Sequence, residues 1–496
     1  MNIKEAKQEI INTVEACLAR DETGAFEIPP EKQRPILLMG PPGIGKTAVM
    51  EQVAAECGIN LVSYTITHHT RQSAIGLPFI SKREFGGKEY SVTEYTMSEI
   101  IASVYEQIER SGVREGILFL DEINCVSETL APTMLQFLQY KMFGTHRVPE
   151  GFLIVTAGNP PEYNKSVREL DIVTLDRVKR IDVEADFGAW KEYAYSVGIH
   201  GSILSYLEIR QEHFYHVESG LDGKSFVTAR GWEDLSRMIT VYEKLGREVT
   251  EKLVRQYLQS AEIAADYAAY YELYNRYYQQ FRIEDILAGD TDAPDRDFRR
   301  AGFDEKLSLT GLLTDRLNRD FRAFGMDEDV QKKLFGELKQ LLQTENADPA
   351  ALRARLQRSY EEAGEARIAG AEEMKILRNA LQAAKELERA ASPVPAGAER
   401  KQFIREWFGS REAERKRKAE ETGEKLTNAF AFLEKTFGEG QEIVIFLTEL
   451  SAGRHSLRFI TECGNEAYYR FNRLLLLKDR QEQLKAEVME LMGGTD

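Results

Sequence analysis

Between an apolar run, Pro35 to Met39, and a helical stretch, Ala48 to Cys57, the chain reads Gly40-Pro41-Pro42-Gly43-Ile44-Gly45-Lys46-Thr47. Every fixed position of the pattern GxxxxGK[ST] is filled, and the frame is strand, turn, helix. The glycines let the backbone curl until successive N–H groups point inward at phosphate oxygens. The helix that follows, from Ala48, brings the partial positive charge of its N-terminus to the same place. Lys46 can reach the β- and γ-phosphates, and the Thr47 hydroxyl can ligate Mg²⁺. Gly40 to Ala48 is therefore the candidate segment for binding ATP.

A loop of this kind belongs at the C-terminal end of a strand in a parallel sheet. Further strands follow at intervals filled by helical pattern: Asn60 to Thr67, Gly116 to Leu120 (GILFL), Phe152 to Thr156 and Val178 to Val183. Strands alternating with helices over 30–185 predict an α/β unit, a P-loop parallel sheet with helices on both faces. Ile3, Ile10, Ile11, Val14 and Leu18 recur near a 3.6 period and predict a helix ahead of it. Residues 1–186 are read as this unit, with hairpins inserted near 78–95, around Gly86-Gly87, and near 141–151. Residues 187–260 read as wholly helical, a lid. Residues 261–496 read as an all-α C-terminal region. Within it, 347–390 and 400–436 have the pattern of a long helical hairpin broken at Ala390 to Ala398 (AASPVPAGA). Tyr267, Tyr270, Tyr271, Tyr274, Tyr277 and Tyr278 have helical spacing and read as an aromatic packing stripe.

The strand Gly116 to Leu120 ends in Asp121-Glu122. Carboxylates at that end of a parallel strand face the ligand crevice. Asp121 is placed to complete the Mg²⁺ shell begun by Thr47, and Glu122 to orient and polarise an attacking water. Asn159, after Thr156-Ala157-Gly158, offers a neutral amide that can hold the water or sense the γ-phosphate. Arg177, in Leu175-Asp176-Arg177-Val178, can lend its guanidinium to a neighbouring subunit's nucleotide, with Arg168 and Arg180 as competitors. Arg230 opens a lid helix and can reach back to the γ-phosphate of its own chain.

Composition narrows the function. Lys and Arg total 65 against 81 Asp and Glu, a net charge of −16. That balance argues against a protein that coats nucleic acid by bulk electrostatics. No apolar run approaches the roughly 18 residues of a spanning helix, so membrane insertion is not expected. The N-terminus, MNIKEAKQEI, has no apolar core and does not read as a secretory signal. Cys17, Cys57, Cys125 and Cys463 are widely spaced, which fits reduced thiols and a cytoplasmic setting. His68-His69 and the pair His213 and His216 lack the acids or cysteines of a metal site.

In order along the chain, Lys46, Asp121, Asn159, Arg177 and Arg230 resemble the landmarks of an AAA+ ATPase module. Three segments sharpen the resemblance to the MoxR branch: Thr67 to Pro78 (THHTRQSAIGLP), Lys141 to Gly151 (KMFGTHRVPEG) and Val227 to Leu235 (VTARGWEDL). The resemblance covers roughly residues 1–260. It implies ATP hydrolysis with Mg²⁺, a hexameric ring, Arg177 acting in trans, and hairpins lining or facing a central pore. It further implies remodelling or maturation of a protein client, often beside a partner with a von Willebrand A domain, here on a separate chain. Two other readings stay open: a nucleic-acid-dependent motor or loader gripping phosphates through Lys82, Arg83, Lys88, Lys141 and Arg147, and a nucleotide-gated scaffold.

Overall fold

The computed structural model describes residues 1–163, 167, 172–220, 223–290, 302–366, 370–438 and 440–475. The chain divides into two compact units. The first comprises Met1–Ala189, Thr228–Arg230 and Arg358–Lys375, and the second Trp190–Val227, Gly231–Gln357 and Ile376–Asp496.

The first unit begins with α1 (Ile3–Leu18). Asn2 caps it by a reciprocal exchange with Glu5, and it buries Ala6, Ile10, Val14 and Cys17. Then come β1 (Ile36–Met39), α2 (Lys46–Cys57), β2 (Asn60–Thr65), α3 (Arg71–Ile75), β3 (Pro78–Phe85), β4 (Lys88–Tyr95) and α4 (Glu99–Ser111). They are followed by β5 (Gly116–Asp121), α5 (Ala131–Tyr140), β6 (Met142–Phe143), β7 (His146–Arg147), β8 (Phe152–Gly158), α6 (Ile172–Leu175) and β9 (Lys179–Asp182).

Five strands form one sheet in the order β2-β5-β8-β1-β9. All four pairings are parallel, with Leu38 level with Ala157 on one side and Ile181 on the other. The three central strands, β1, β5 and β8, are nearly continuous apolar runs rather than alternating ones, as a sheet covered on both faces requires. β5 and β8 are buried almost throughout. One core on this sheet gathers Leu37, Leu118, Leu120 and Ile154 with Ile101 and Val104 of α4 and Met134 and Phe137 of α5. The α/β architecture expected from the sequence is present.

The strand order is what builds the site. β1 lies between β8 and β9, and β8 lies beside β5. The C-terminal ends of β1, β5 and β8 are therefore neighbours, and each continues into one of the candidate motifs. Two ribbons leave this sheet. β3 and β4 pair antiparallel from Pro78↔Tyr95 to Phe85↔Lys88 around Gly86-Gly87, whose φ values of 58° and 78° suit glycine. β6 and β7 pair around Gly144.

The second unit takes up α7 (Phe187–Val197) from Trp190, then α8 (Gly201–Ile209), β10 (His216–Gly220) and β11 (Gly223–Val227). Here the structure corrects the sequence reading, which made 187–260 wholly helical. β10 and β11 pair antiparallel, His216 opposite Val227. The segments are short, and their pairing runs as far as Gly220 opposite Gly223. That signal is too brief to stand out between helices. α9 (Ala229–Lys244) starts in the first unit and continues here, followed by α10 (Glu251–Tyr257), α11 (Ala261–Gln280) and α12 (Ile283–Leu287). Tyr267, Tyr271 and Tyr274 are the buried tyrosines of α11. Tyr267 packs edge-on against Trp232 and shares a 2.7 Å hydrogen bond with Ser202.

Further helices follow: α13 (Phe303–Gln343), α14 (Pro349–Ala366), α15 (Ala371–Ala391), α16 (Ala398–Phe437), α17 (Gln441–Ala452) and α18 (Arg454–Cys463). The stretch 347–390, which the pattern suggests as one helix, forms two, α14 and α15, with Gly370 directly ahead of the second. A glycine costs a helix up to about 1 kcal/mol, enough to favour a break where packing does not oppose it. Two cores hold this region. One joins Leu313, Phe321, Phe430 and Phe446, and the other Leu334, Leu352, Leu387 and Ile404.

Candidate functional site

The loop after β1 is shaped by glycine where nothing else fits. A side chain at Gly40 would meet the Val183 carbonyl oxygen at 2.8 Å. Gly43 has φ +77°, and a Cβ there would lie 2.9 Å from Thr228. Gly45, at φ 95°, is the N-cap of α2 and supplies no capping side chain. Helices α1, α4, α10 and α11 are all capped by Asn or a hydroxyl residue. The first N–H groups of α2 are thus left for an anion rather than for the protein's own oxygens. Pro41 and Pro42 are half-buried, Ile44 is buried and pins the loop, and Ala48 lies in the first turn of the helix.

Lys46 is buried, with 8% of its surface exposed. Its Nζ donates to the carbonyl oxygens of Gly40 (2.7 Å) and Pro41 (2.8 Å) and to Asn159 Oδ1 (2.8 Å). Burial pushes the ammonium down to about 8. Asp121 and Glu122 pull it back up, and Arg230 presses it further down. The Thr47 hydroxyl donates to Asp121 Oδ2 at 3.1 Å, across the ends of β1 and β5. The other Asp121 oxygen accepts from the Glu122 backbone N–H at 2.9 Å.

Glu122 sits at φ 58°, in the left-handed region that a side chain seldom adopts. Backbone strain of this kind clusters at functional sites. Its Oε2 accepts from Thr67 Oγ1 at 2.9 Å. The sequence does not single out Thr67 as a partner for Glu122. The signal is topological: β2 pairs with β5 so that Thr65 is level with Asp121, and Thr67 follows just beyond. Two residues past the strand end, a hydroxyl meets the first residue past the neighbouring strand.

The structure therefore brings together Lys46, Thr47, Asp121, Glu122 and Asn159. Arg230 joins them through its backbone N–H, which donates to the Gly43 carbonyl at 3.1 Å, and through its charge on Lys46. Arg177 stands apart. It follows α6, is exposed, and its side chain has no partner among the described residues. Arg180 differs, because its guanidinium holds Asp182 Oδ1 at 2.9 Å. Arg168 lies outside the described residues.

An uncapped helix N-terminus, a buried ammonium held on carbonyl oxygens, and a hydroxyl against a carboxylate suit a nucleotide polyphosphate with Mg²⁺. The oxygens that accept from the ammonium are neutral, so phosphate oxygens can replace them. Thr47 and Asp121 present the hard oxygen donors that Mg²⁺ takes. Residues 36–183 match the family model for AAA, the ATPase family associated with various cellular activities. This segment is similar to the ATPase domain of that family. No curated protein matches the chain.

The matched segment runs from the first residue of β1 to the residue after β9, so it spans the whole five-stranded sheet. It holds every candidate residue named above except Arg230. Among the described residues no helix is long and apolar enough to cross a membrane.

Proposed function

We propose that this chain is a MoxR-type AAA+ ATPase that hydrolyses ATP within an oligomeric ring, a hexamer on the family resemblance, and passes the change to a protein client. The observation that carries this reading is the meeting of Lys46 with Asn159, Thr47 with Asp121 and Glu122 with Thr67 at three adjoining strand ends.

ATP lies with its phosphates along Gly40 to Ala48. Lys46 leaves the Gly40 and Pro41 carbonyls for the β- and γ-phosphate oxygens. Mg²⁺, when bound through Thr47 and Asp121, supplies charge neutralisation to the same phosphates. Glu122, oriented by Thr67, accepts a proton from the attacking water and aligns it for in-line displacement. Asn159, released by Lys46, holds the water or the γ-phosphate. Arg177 is supplied in trans to a neighbour's nucleotide. Its guanidinium, exposed and without a partner among the described residues, supports that assignment over Arg180. Arg230 acts from its own chain at the start of α9, so nucleotide state is sensed where that helix begins.

The β3–β4 ribbon supports a protein client over nucleic acid. Lys82 pairs with Glu89 and Arg83 with Glu94, each at 2.6 Å. Lys141 is buried and donates to Gln33 at 3.3 Å, and Arg147 faces Glu31 at 3.8 Å. Four of the five cations that would grip phosphates are thus already engaged. Phe79, Phe85 and Tyr90 stand exposed on one side of the same ribbon, an apolar face for a polypeptide, and Ile80 is exposed on the other. A von Willebrand A partner on a separate chain and a cytoplasmic setting belong to this reading.

Glu122→Gln tests it. The variant keeps Mg·ATP binding while turnover falls by roughly 100-fold or more, because the carboxamide cannot take the proton. Turnover within threefold of the unmodified protein refutes the assignment of Glu122.

A further inference from the structure

Glu122 and Asn159 follow different strands, β5 and β8, and on the reading above they serve one reaction centre, the attacking water and the γ-phosphate. Beyond the strand ends no sheet hydrogen bond holds them in register. The residue that spans this gap is Asn124. It lies in the short 3-10 turn Ile123–Cys125, two residues after Glu122, and is 2% exposed. Its Nδ2 donates to the backbone oxygen of Asn159 at 2.8 Å. Asn159 in turn receives Lys46 on its side chain.

Two features mark Asn124 as held for position. Its Oδ1 is buried and has no hydrogen-bond partner among the described residues. A buried acceptor left unpaired opposes folding, so stability alone does not account for a carboxamide here. The space it occupies depends on Gly158, where a Cβ would meet Asn124 Oδ1 at 2.7 Å and Cγ at 2.9 Å. Glycine at the last position of β8 leaves room for this side chain to reach the next residue's carbonyl.

We propose that Asn124 is a positioning residue for ATP hydrolysis, tying the turn that carries Glu122 to the strand end that carries Asn159. It touches neither nucleotide nor water and acts by fixing the distance between two groups that do. The assignment rests on the ATPase reading above. Misplacing a reacting group by about 1 Å costs roughly 100-fold in rate, while binding of the nucleotide through the loop is left alone. The brace can be broken from either side. Asn124→Ala removes the donor, and Gly158→Ala drives the carboxamide off its acceptor. Each substitution should lower kcat by roughly 100-fold with KM for ATP and affinity for Mg·ADP within about threefold. The double variant should be no slower than either single one, because both remove the same link.

The experiment is steady-state phosphate release by the full chain for the unmodified protein, both single variants and the double, with Mg·ADP titration and thermal unfolding alongside. A kcat for Asn124→Ala within threefold of the unmodified protein overturns the proposal. So does a double variant whose losses multiply, or a loss confined to KM. Should Asn124→Ala not fold, Gly158→Ala reads the same brace alone, and undiminished kcat there overturns it. Absence of turnover in the unmodified protein defeats the ATPase reading itself and is distinguishable from all of these.

Discussion

Raising the pH from 7 to 9 should weaken nucleotide binding through one side chain, Lys46. An ordinary lysine stays charged over this range. Lys46 is held down at about 8 instead of 10.5, chiefly by burial. Burial thus places a penalty of about 3 kcal/mol on the charged form. A bound polyphosphate offsets that penalty and returns the group to its charged state, so binding takes up a proton whenever the free protein lacks it. The free ammonium is about nine-tenths present at pH 7, half at pH 8 and one-tenth at pH 9. Proton uptake on binding Mg·ADP should therefore rise from about 0.1 through about 0.5 to about 0.9, and the affinity should fall about tenfold from pH 7 to pH 9. The nucleotide's own phosphate titrates near pH 6 and is fully ionised across the upper half of this range. Calorimetric titration in buffers of different ionisation enthalpy gives the uptake directly. In Lys46→Met the uptake should vanish and the pH dependence with it. Uptake that stays flat or declines between pH 7 and pH 9 in the unmodified protein would refute the electrostatic account of the loop.

Thr67→Val removes the hydroxyl that holds Glu122 and nothing else of its size. Turnover should fall by roughly tenfold with Mg·ADP affinity unchanged, and an unaltered kcat in a phosphate-release assay would detach Thr67 from the site. Arg177→Ala should cost the assembled protein at least roughly 1,000-fold in turnover, whereas Arg180→Ala, whose guanidinium is already committed to Asp182, should keep most of it. The reverse order would exchange the two assignments.

Much of the first unit is legible in the sequence because its signals are dense and mutually consistent. The loop from Gly40 to Thr47 fixes a strand before and a helix after. GILFL and FLIVT are buried strands by their unbroken apolar content, and Gly86-Gly87 marks the β3–β4 turn. What escapes depends on pairing between distant segments. β10 and β11 are each five residues long, and their weak alternation is hidden among helices. Thr67 acquires a role only when β2 is known to lie beside β5. Asn124 is one polar residue in a turn until Gly158 and Asn159 are brought against it. Arg177 is preferred over Arg180 in the sequence, but the engagement of Arg180 by Asp182, two residues later on β9, is visible only in the structure. The burial of Lys46 is likewise invisible in the motif, although it governs the expected pH dependence.

In the proposed ring one nucleotide is served by two protomers, the loop and Glu122 from one and Arg177 from the next. Mixing two variants that are each inactive, Glu122→Gln and Arg177→Ala, tests this most directly. In mixed rings some sites pair an intact Glu122 with an intact Arg177, and phosphate release should reappear and pass through a maximum as the ratio is varied. Both variants must assemble and bind Mg·ADP for the comparison. Mixtures as silent as the separate proteins at every ratio, with mixed assembly demonstrated, would contradict the shared site.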